Sequence, residues 1–221
     1  MGYYNKRNIR AKDFRVNASN LCKTVGGNLY LIYFIYLLIS SVVVSITSFT
    51  IPLSKIVLPY FDVKLSINLY PIIVLFINGA FSYSFVHISK RVSFESKVEF
   101  IDLFEGFKEY WKTFLINFAV KLYTSLWTLL FIIPGLIKSY SYSMAMYIYN
   151  DNKNLSYKEC IERSTYIMQG HKWDLFCLHL SYFGWILLCI LTGGILLIWV
   201  MPKLQQAQYL FYLEVKKRLT F

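Results

Sequence analysis

Charged side chains are scarce in this sequence, and their scarcity excludes most soluble proteins. Only 16% of the 221 residues are charged and 57% are hydrophobic, whereas globular proteins average about 25% and about 45–50%. The mean hydropathy is +0.46, so the chain has too little polar surface to cover a water-soluble fold. The charges are also unbalanced, with 23 Lys and Arg against 12 Asp and Glu. These features indicate an integral membrane protein with a basic excess.

Glycine, proline and cysteine are also few. With 10 Gly, 5 Pro and 4 Cys, the collagenous, low-complexity and disulfide-scaffold classes are excluded. The cysteines show no C-x-x-C spacing, the three histidines form no H-E-x-x-H motif, and neither a Gly-Lys-Ser loop nor a Gly-x-Ser-x-Gly elbow occurs. Every carboxylate lies outside the apolar runs or at their edges. The sequence therefore predicts a protein that is not an enzyme and that holds no metal or cofactor.

The sequence contains long uncharged runs instead. A helix needs about 20 apolar residues to cross roughly 30 Å of hydrocarbon. The last run, Leu175–Pro202, is longer than one span and has Thr192-Gly193-Gly194 in its middle, and an earlier run contains Pro134-Gly135. Turns at these two sites would make each run a helical hairpin. The alternative is two continuous helices, one kinked at the proline and the other with glycines at a helix-packing position, which membrane bundles tolerate.

The distribution of basic residues favours the hairpins. Lysine and arginine are concentrated in residues 1–27, 90–112, 151–174 and the C-terminal tail, whereas the loop 50–64 holds only two lysines. Basic residues accumulate in cytoplasmic loops, so these four segments are expected inside. Six spans with both termini in the cytoplasm satisfy every loop, whereas four spans would place residues 151–174 outside.

The predicted fold class is therefore all-α, a polytopic helical membrane bundle of about six transmembrane helices with short interfacial amphipathic helices. We expect a basic cytoplasmic segment over residues 1–27 and a single transmembrane domain over residues 28–221. The predicted localisation is the cell membrane, multi-pass. The spans are expected at about 28–51, 66–89, 113–133, 136–150, 175–191 and 195–213.

Two of the segments between spans have helical patterns of their own. Apolar and charged residues alternate along Asp102–Lys112 with the spacing of an amphipathic interfacial helix. Ser156 and Glu159 have the spacing of a capping box. The sequence predicts a helix over Tyr157–Met168 that is ended by Gly170.

Two polar residues interrupt otherwise apolar spans. Lys121 lies nine residues past Lys112, which places it about 13 Å into the membrane at 1.5 Å per residue. An ionised lysine there costs roughly 2.5–3.5 kcal/mol on insertion scales, so it should face the bundle or a wet cavity. Asn117 lies one turn earlier on the same face and could bond to it.

An approximate internal repeat places His179 opposite Lys121. Residues 127–135 match residues 185–193 at an offset of 58, and the same offset pairs the two polar residues. One interpretation is a polar intramembrane ligand-binding locus of Lys121, His179 and Asn117 that holds an anionic headgroup or a peptide. The other is a lysine that snorkels to the interface and a core histidine with satisfied hydrogen bonds.

The expected partners follow from where the basic residues lie. They flank the spans and do not line a groove with exposed aromatics, so nucleic acid is not an expected partner. The anionic headgroups of the cytoplasmic leaflet are the expected one. Another membrane protein or a peptide is a further possibility.

The C-terminal half carries a specific order of motifs, and through it the chain resembles the bacterial domain-of-unknown-function family 975. The motifs are Pro134–Met144, Ser164–Lys172, Asp174–Phe176, Leu180–Trp185, Leu191–Gly194, Trp199, Pro202 and Phe211-Tyr212. The resemblance covers roughly residues 100–215, with departures at Lys203 and His171. It implies a small integral membrane protein and leaves the activity open.

Two functions from different classes agree with these features. The first is a non-enzymatic integral membrane protein of the bacterial cell envelope that binds lipid or another membrane protein. The second is a transport-related or antimicrobial-peptide immunity membrane protein that uses Lys121 and His179 as an interior polar site.

Overall fold

The computed structural model describes residues 11–47, 50–52, 66–68, 70–95 and 97–217. These residues are almost entirely helical, which confirms the helical class. The α-helices are α1 Ala11–Val25, α2 Gly27–Thr47, α3 Tyr70–Phe94, α4 Glu105–Lys108, α5 Tyr110–Leu130, α6 Ile132–Tyr142, α7 Ala145–Asp151, α8 Tyr157–Ile167, α9 Lys172–Leu191 and α10 Leu197–Lys217. A 3-10 helix covers Phe100–Phe104, and the short strands are β1 Thr50–Pro52 and β2 Ser66–Asn68.

The two strands correct the predicted ends of the first two spans. The sequence prediction extends one helix to residue 51 and begins the next at residue 66, but β1 and β2 pair there as an antiparallel ribbon with Ile51 opposite Ile67. Ile51 precedes Pro52, and a residue before proline is disfavoured in the helical region. Helix α3 accordingly begins only at Tyr70.

The first predicted hairpin is present, with α5 and α6 antiparallel. Gly135 on α6 lies so close to α5 that a Cβ there would overlap the Thr128 side chain. Further from the turn, the rings of Tyr123 and Tyr142 are 6.3 Å apart. Glycine therefore permits the close approach of the two helices near the turn.

The predicted position of this turn is wrong by a few residues. The chain reverses at Phe131, which is extended (φ −155°, ψ 136°), and Pro134 lies in the first turn of α6. The first amides of a helix have no intrahelical acceptor, so the missing N–H of proline costs little there. Pro134 thus marks the start of a helix and not the turn before it.

The second hairpin turns at the predicted site. Helix α9 ends at Leu191, and Gly193 and Gly194 both have positive φ, at 62° and 89°. Tyr182 on α9 donates a hydrogen bond to the Lys203 carbonyl of α10 at 3.2 Å. The continuous-helix alternative is therefore excluded for this run.

The segment predicted as one span over 136–150 consists of two helices, α6 and α7, which break at Ser143 and Met144. Ser164 of α8 fills the break, because its hydroxyl accepts from the Met144 amide at 3.1 Å and donates to the Ser141 carbonyl at 2.7 Å. The break is stabilised from outside the segment, so the local sequence did not indicate it.

The helix predicted after residue 156 is confirmed. Ser156 and Glu159 form both hydrogen bonds of a capping box, and Gly170 follows α8 with φ of 80°. The segment before α5 is also helical, as the 3-10 helix and α4, and it exposes Phe100, Ile101, Phe104 and Phe107.

Residues 11–25 of the predicted N-terminal segment form α1, a helix that packs against α9 and α10. The Phe14 and Phe211 rings meet edge to face at 5.9 Å, and Ala18 is fully buried. Helix α2 turns away from α1 by 98° at Gly26, whose φ is 75°. The predicted basic segment therefore contains an integral part of the bundle.

Large apolar side chains are exposed where the two hairpins turn. Leu129 is 89% exposed and Leu191 is 80% exposed, and such a contiguous apolar surface is typical of a membrane or an interaction site. Helices α5 and α9 are long and apolar enough to cross a membrane, and α1 with residues 27–43 of α2 would count as a third span if the bent pair is one span. The described residues thus have the character of a helical membrane protein with two or three evident spans.

A polar cavity around Lys121

A cavity of about 400 Å³ lies between the two hairpins and is closed on another side by α2 and α3. Its surface is largely apolar but includes several polar side chains, and buried polar groups need hydrogen-bond partners. The polar side chains that line it are Tyr33, Tyr36, Asn78, Ser82, Asn117, Lys121, Tyr142, Ser143, Tyr147, Gln205 and Gln208.

Lys121 brings the only formal charge among the side chains that line this cavity in the described part of the chain. It is exposed, and its neighbours Phe118 and Leu122 are exposed apolar residues. Within the residues described, it forms no salt bridge, and no carboxylate lines the cavity. An ammonium group therefore stands at a polar cavity without a counter-ion from these residues.

Asn117 lines the same cavity as Lys121. Its amide, however, donates to the Ser82 hydroxyl of α3 at 3.3 Å, and no hydrogen bond joins it to Lys121 in the described structure. Asn117 therefore ties α5 to α3 and presents its remaining polar atoms near the lysine.

His179 does not line the cavity, because it lies behind Gln208. Its Nδ1 is 3.3 Å from the Tyr140 hydroxyl and its Nε2 contacts the Gln208 amide nitrogen, while Tyr147 donates to the Gln208 carbonyl oxygen. The amide nitrogen is a donor only, so His179 Nε2 accepts and Nδ1 carries the proton. Both ring nitrogens of His179 therefore have polar partners.

Lys121 and His179 are thus related through Gln208 and not by direct contact. Gln208 lines the cavity with Lys121, and its side chain contacts His179. His179 is best described as a positioning residue that fixes the Gln208 amide toward the cavity. The repeat in the sequence pairs Lys121 with His179, but in the structure only Lys121 lines the cavity.

Most polar contributors to the cavity were not predicted from the sequence, and three of them show why. Gln205 and Gln208 follow Pro202 on α10, and Ser143 lies at the break between α6 and α7. All three are neutral, so a search for charges in apolar runs passed over them. The sequence feature that could have indicated these residues is the high polar content of the segments 139–143 and 205–208.

A second polar cluster joins three helices at the end of α7. Asp151 accepts hydrogen bonds from Lys90 at 3.2 Å, from the Tyr212 hydroxyl at 2.8 Å, and from Lys216. Burial raises the pKa of Asp151, but the hydrogen bonds and positive charges of its partners outweigh burial and leave the pKa below its usual value. The cluster fastens α3 and α10 to α7, and its Asp151, Tyr212 and Lys216 also line a cavity of about 350 Å³.

The hydrogen-bond donors of the Lys121 cavity determine which ligands it can bind. A single ammonium among amides and hydroxyls binds an anionic oxygen group by charge-assisted hydrogen bonds. In the part of the chain that is described, His, Cys, Asp and Glu form no group of three or more that could hold a metal ion. The arrangement suits recognition of a polar, negatively charged group at membrane depth.

Comparison with known proteins identifies the same family as the sequence motifs. Residues 128–219 match the family described as "Protein of unknown function (DUF975)", which confirms the resemblance over somewhat less than half of the chain. The match begins after Lys121 and covers α6 to α10. No curated protein and no solved structure matches the chain.

Proposed function

We propose that this chain is a non-enzymatic integral membrane protein of the bacterial cell envelope that binds the anionic headgroup of a lipid in the Lys121 cavity. The observation that carries the proposal is a lysine without a described counter-ion at the wall of a polar cavity within an apolar bundle. A charge at such depth is expensive unless a partner or water compensates it. An anionic headgroup would supply that compensation.

The size and lining of the cavity support a headgroup as the ligand. A volume of about 400 Å³ is within the range of small-molecule sites, roughly 300–1,000 Å³. Amides and hydroxyls around a single cation recognise phosphate oxygens and hydroxyls alike. The exposed apolar residues beside Lys121 offer a path for acyl chains.

The proposal includes a six-span topology with both termini in the cytoplasm. Six of the described helical segments, α2, α3, α5, α6 with α7, α9 and α10, correspond to the six predicted runs. In this topology the two hairpins return residues 151–174 and the end of α10, with Lys216 and Lys217, to the side on which residues 90–112 lie, as the charge distribution requires.

The test is a thermal-shift titration of the purified full chain in a neutral detergent. The probe is dodecyl phosphate below its micelle-forming concentration, with dodecyl maltoside as the uncharged comparison. A ligand that binds only the native state at 100 times its Kd stabilises by about 2.7 kcal/mol. We expect dodecyl phosphate to stabilise the wild type, Lys121→Gln to lose the shift, and Lys138→Gln to keep it.

Lys138 is the matched control because it belongs to the same hairpin and does not line the cavity, and its ammonium lies 4.9 Å from the Trp127 ring centre. Equal shifts in all three proteins would contradict the headgroup site. A shift given by an apolar peptide with a free carboxylate, but not by dodecyl phosphate, would replace the lipid proposal with the peptide-immunity one.

A further inference from the structure

A second, separate cleft lies on the other side of α10. It has a volume of about 260 Å³ and is formed by α1, α9 and the start of α10, with Arg15, Ser19, Tyr182, Trp185, Trp199 and Lys203 among its walls. Along α10, residues 197, 201, 205 and 208 face the Lys121 cavity, whereas residues 199, 200 and 203, with Leu196 just before the helix, face this cleft. The two spaces share no lining residue.

Two basic side chains converge on this cleft. Arg15 is half-buried, and its Nη1 donates to the Ser181 carbonyl at 3.0 Å. That bond uses one of the five guanidinium N–H groups and orients the rest. Lys203 is also half-buried, and neither cation forms a salt bridge with the carboxylates that the structure describes.

The remaining walls are aromatic and open to the surroundings. Trp185 is 49% exposed and Trp199 is 45% exposed. Tryptophan prefers the headgroup level of a bilayer, where its indole is part apolar and part hydrogen-bonded. The Tyr182 hydroxyl donates to the Lys203 carbonyl, which fixes this part of the wall next to the lysine.

We propose that this cleft is a binding site for the phosphate group of an anionic phospholipid. Two cations and no lining carboxylate favour an anion, and Arg15 can present a planar pair of donors to phosphate oxygens while Lys203 contributes a point charge. The exposed apolar side chains at the walls of the cleft itself, Val16, Trp185 and Trp199, fit acyl chains. Basic pockets between transmembrane helices bind such headgroups.

This inference does not depend on the Lys121 cavity. A lipid in the cleft would join α1 to the α9–α10 hairpin, because one headgroup would contact Arg15 on α1 and Lys203 on α10. Loss of the lipid from the cleft would leave the Lys121 site intact, and loss of the ligand at Lys121 would leave the cleft intact. The two sites can therefore succeed or fail separately.

The experiment is native mass spectrometry of the full chain during titration with phosphatidylglycerol and, separately, phosphatidylcholine. We expect phosphatidylglycerol to be retained preferentially. The double variant Arg15→Gln with Lys203→Gln should weaken phosphatidylglycerol binding at least about tenfold, because hydrogen bonds to charged groups contribute a free energy of that size. The double variant Lys12→Gln with Lys217→Gln removes the same charge from exposed positions on α1 and α10, and should change binding less than about twofold. Lys121→Gln should leave this component of binding unchanged.

Further arms separate the remaining explanations. Millimolar inorganic phosphate should not displace the lipid, and complete displacement would assign the site to a soluble anion and overturn the lipid assignment. If the Arg15 variant does not fold, Lys203→Gln alone should weaken binding and Lys203→Arg should restore it. Equal retention of the two lipids, or equal effects of the cleft and control variants, would overturn the proposal.

Discussion

The Ser164 hydroxyl of α8 donates to the Ser141 carbonyl of α6 at 2.7 Å, and both residues are fully buried. The same hydroxyl accepts the Met144 amide across the break between α6 and α7. One side chain thus replaces hydrogen bonds that a continuous helix would make, and it places Tyr142 and Ser143 at the wall of the Lys121 cavity. The geometry of the cavity depends on a helix that lies outside it.

Ser164→Ala should lower the free energy of unfolding by about 1–3 kcal/mol, because it leaves a buried carbonyl and a buried amide unpaired. Denaturant unfolding of the purified protein, followed by circular dichroism, measures the change. Thr165→Ala is the control, since its hydroxyl bonds only to the Ile161 carbonyl of its own helix, and it should cost much less. Equal costs would mean that the Ser164 bridge does not stabilise the break.

Lys216→Met should destabilise the protein by about 0.5–1 kcal/mol at neutral pH, because it removes an ion pair with Asp151 whose lysine is largely exposed to solvent. Lys217→Met, at the exposed neighbouring position, should change stability by less than about 0.5 kcal/mol. Comparison of the two unfolding midpoints tests the pairing, and identical midpoints would contradict it.

The contribution of Asp151 to the free energy of unfolding should also depend on pH. Its native pKa is lower than the unfolded value, so its stabilising effect is present at neutral pH and is lost as the pH falls through the native pKa, below about 4. Asp151→Asn should therefore be less stable than the wild type at pH 7, and the difference should shrink at pH 3. A difference that stays constant between these pH values would contradict the assignment.

Gly106→Ala should be strongly destabilising, by about 1–3 kcal/mol or more. A Cβ at this position would overlap the Ala80 backbone, and the Gly106 amide donates to the Ser84 hydroxyl at 3.0 Å. At Gly184 a Cβ would meet nothing within 4 Å, so Gly184→Ala should be neutral or stabilising. Unfolding midpoints in detergent compare the two, and a tolerated Gly106→Ala would show that α4 does not contact α3 this closely.

Reporter fusions after Lys55, Lys97, Lys158 and Phe221 test the proposed topology, and the first and last of these positions lie outside the described residues. Six spans predict outside, inside, inside and inside, because the α5–α6 hairpin returns the chain to the cytoplasm before residue 158. A fusion after Lys158 that reports outside would reduce the topology to four spans.

Local signals in the sequence were sufficient for some elements of the fold. The Gly193-Gly194 turn has positive φ that glycine adopts readily, and the Ser156–Glu159 capping box is satisfied by residues three apart. Such features depend on neighbours along the chain. The sequence could therefore predict them without knowledge of the tertiary structure.

Other features depend on distant residues. The break at Ser143 needs Ser164, and the packing of α1 needs Phe211. Lys121 was identified because a charge in an apolar run is expensive wherever it lies, but Gln208 was not, because its importance comes from the cavity and from His179. Pairing of that kind becomes visible only when the helices are placed together.

The most direct test of the Lys121 cavity is its preference for anions. In a background without native cysteines, Gln205→Cys places a thiol at the cavity wall, and its rates with anionic and cationic methanethiosulfonate reagents are compared. With Lys121 present, the account predicts faster reaction with the anionic reagent, protection by dodecyl phosphate, and loss of the preference in Lys121→Gln. Equal rates for the two reagents in both backgrounds would contradict an anion-binding cavity around Lys121.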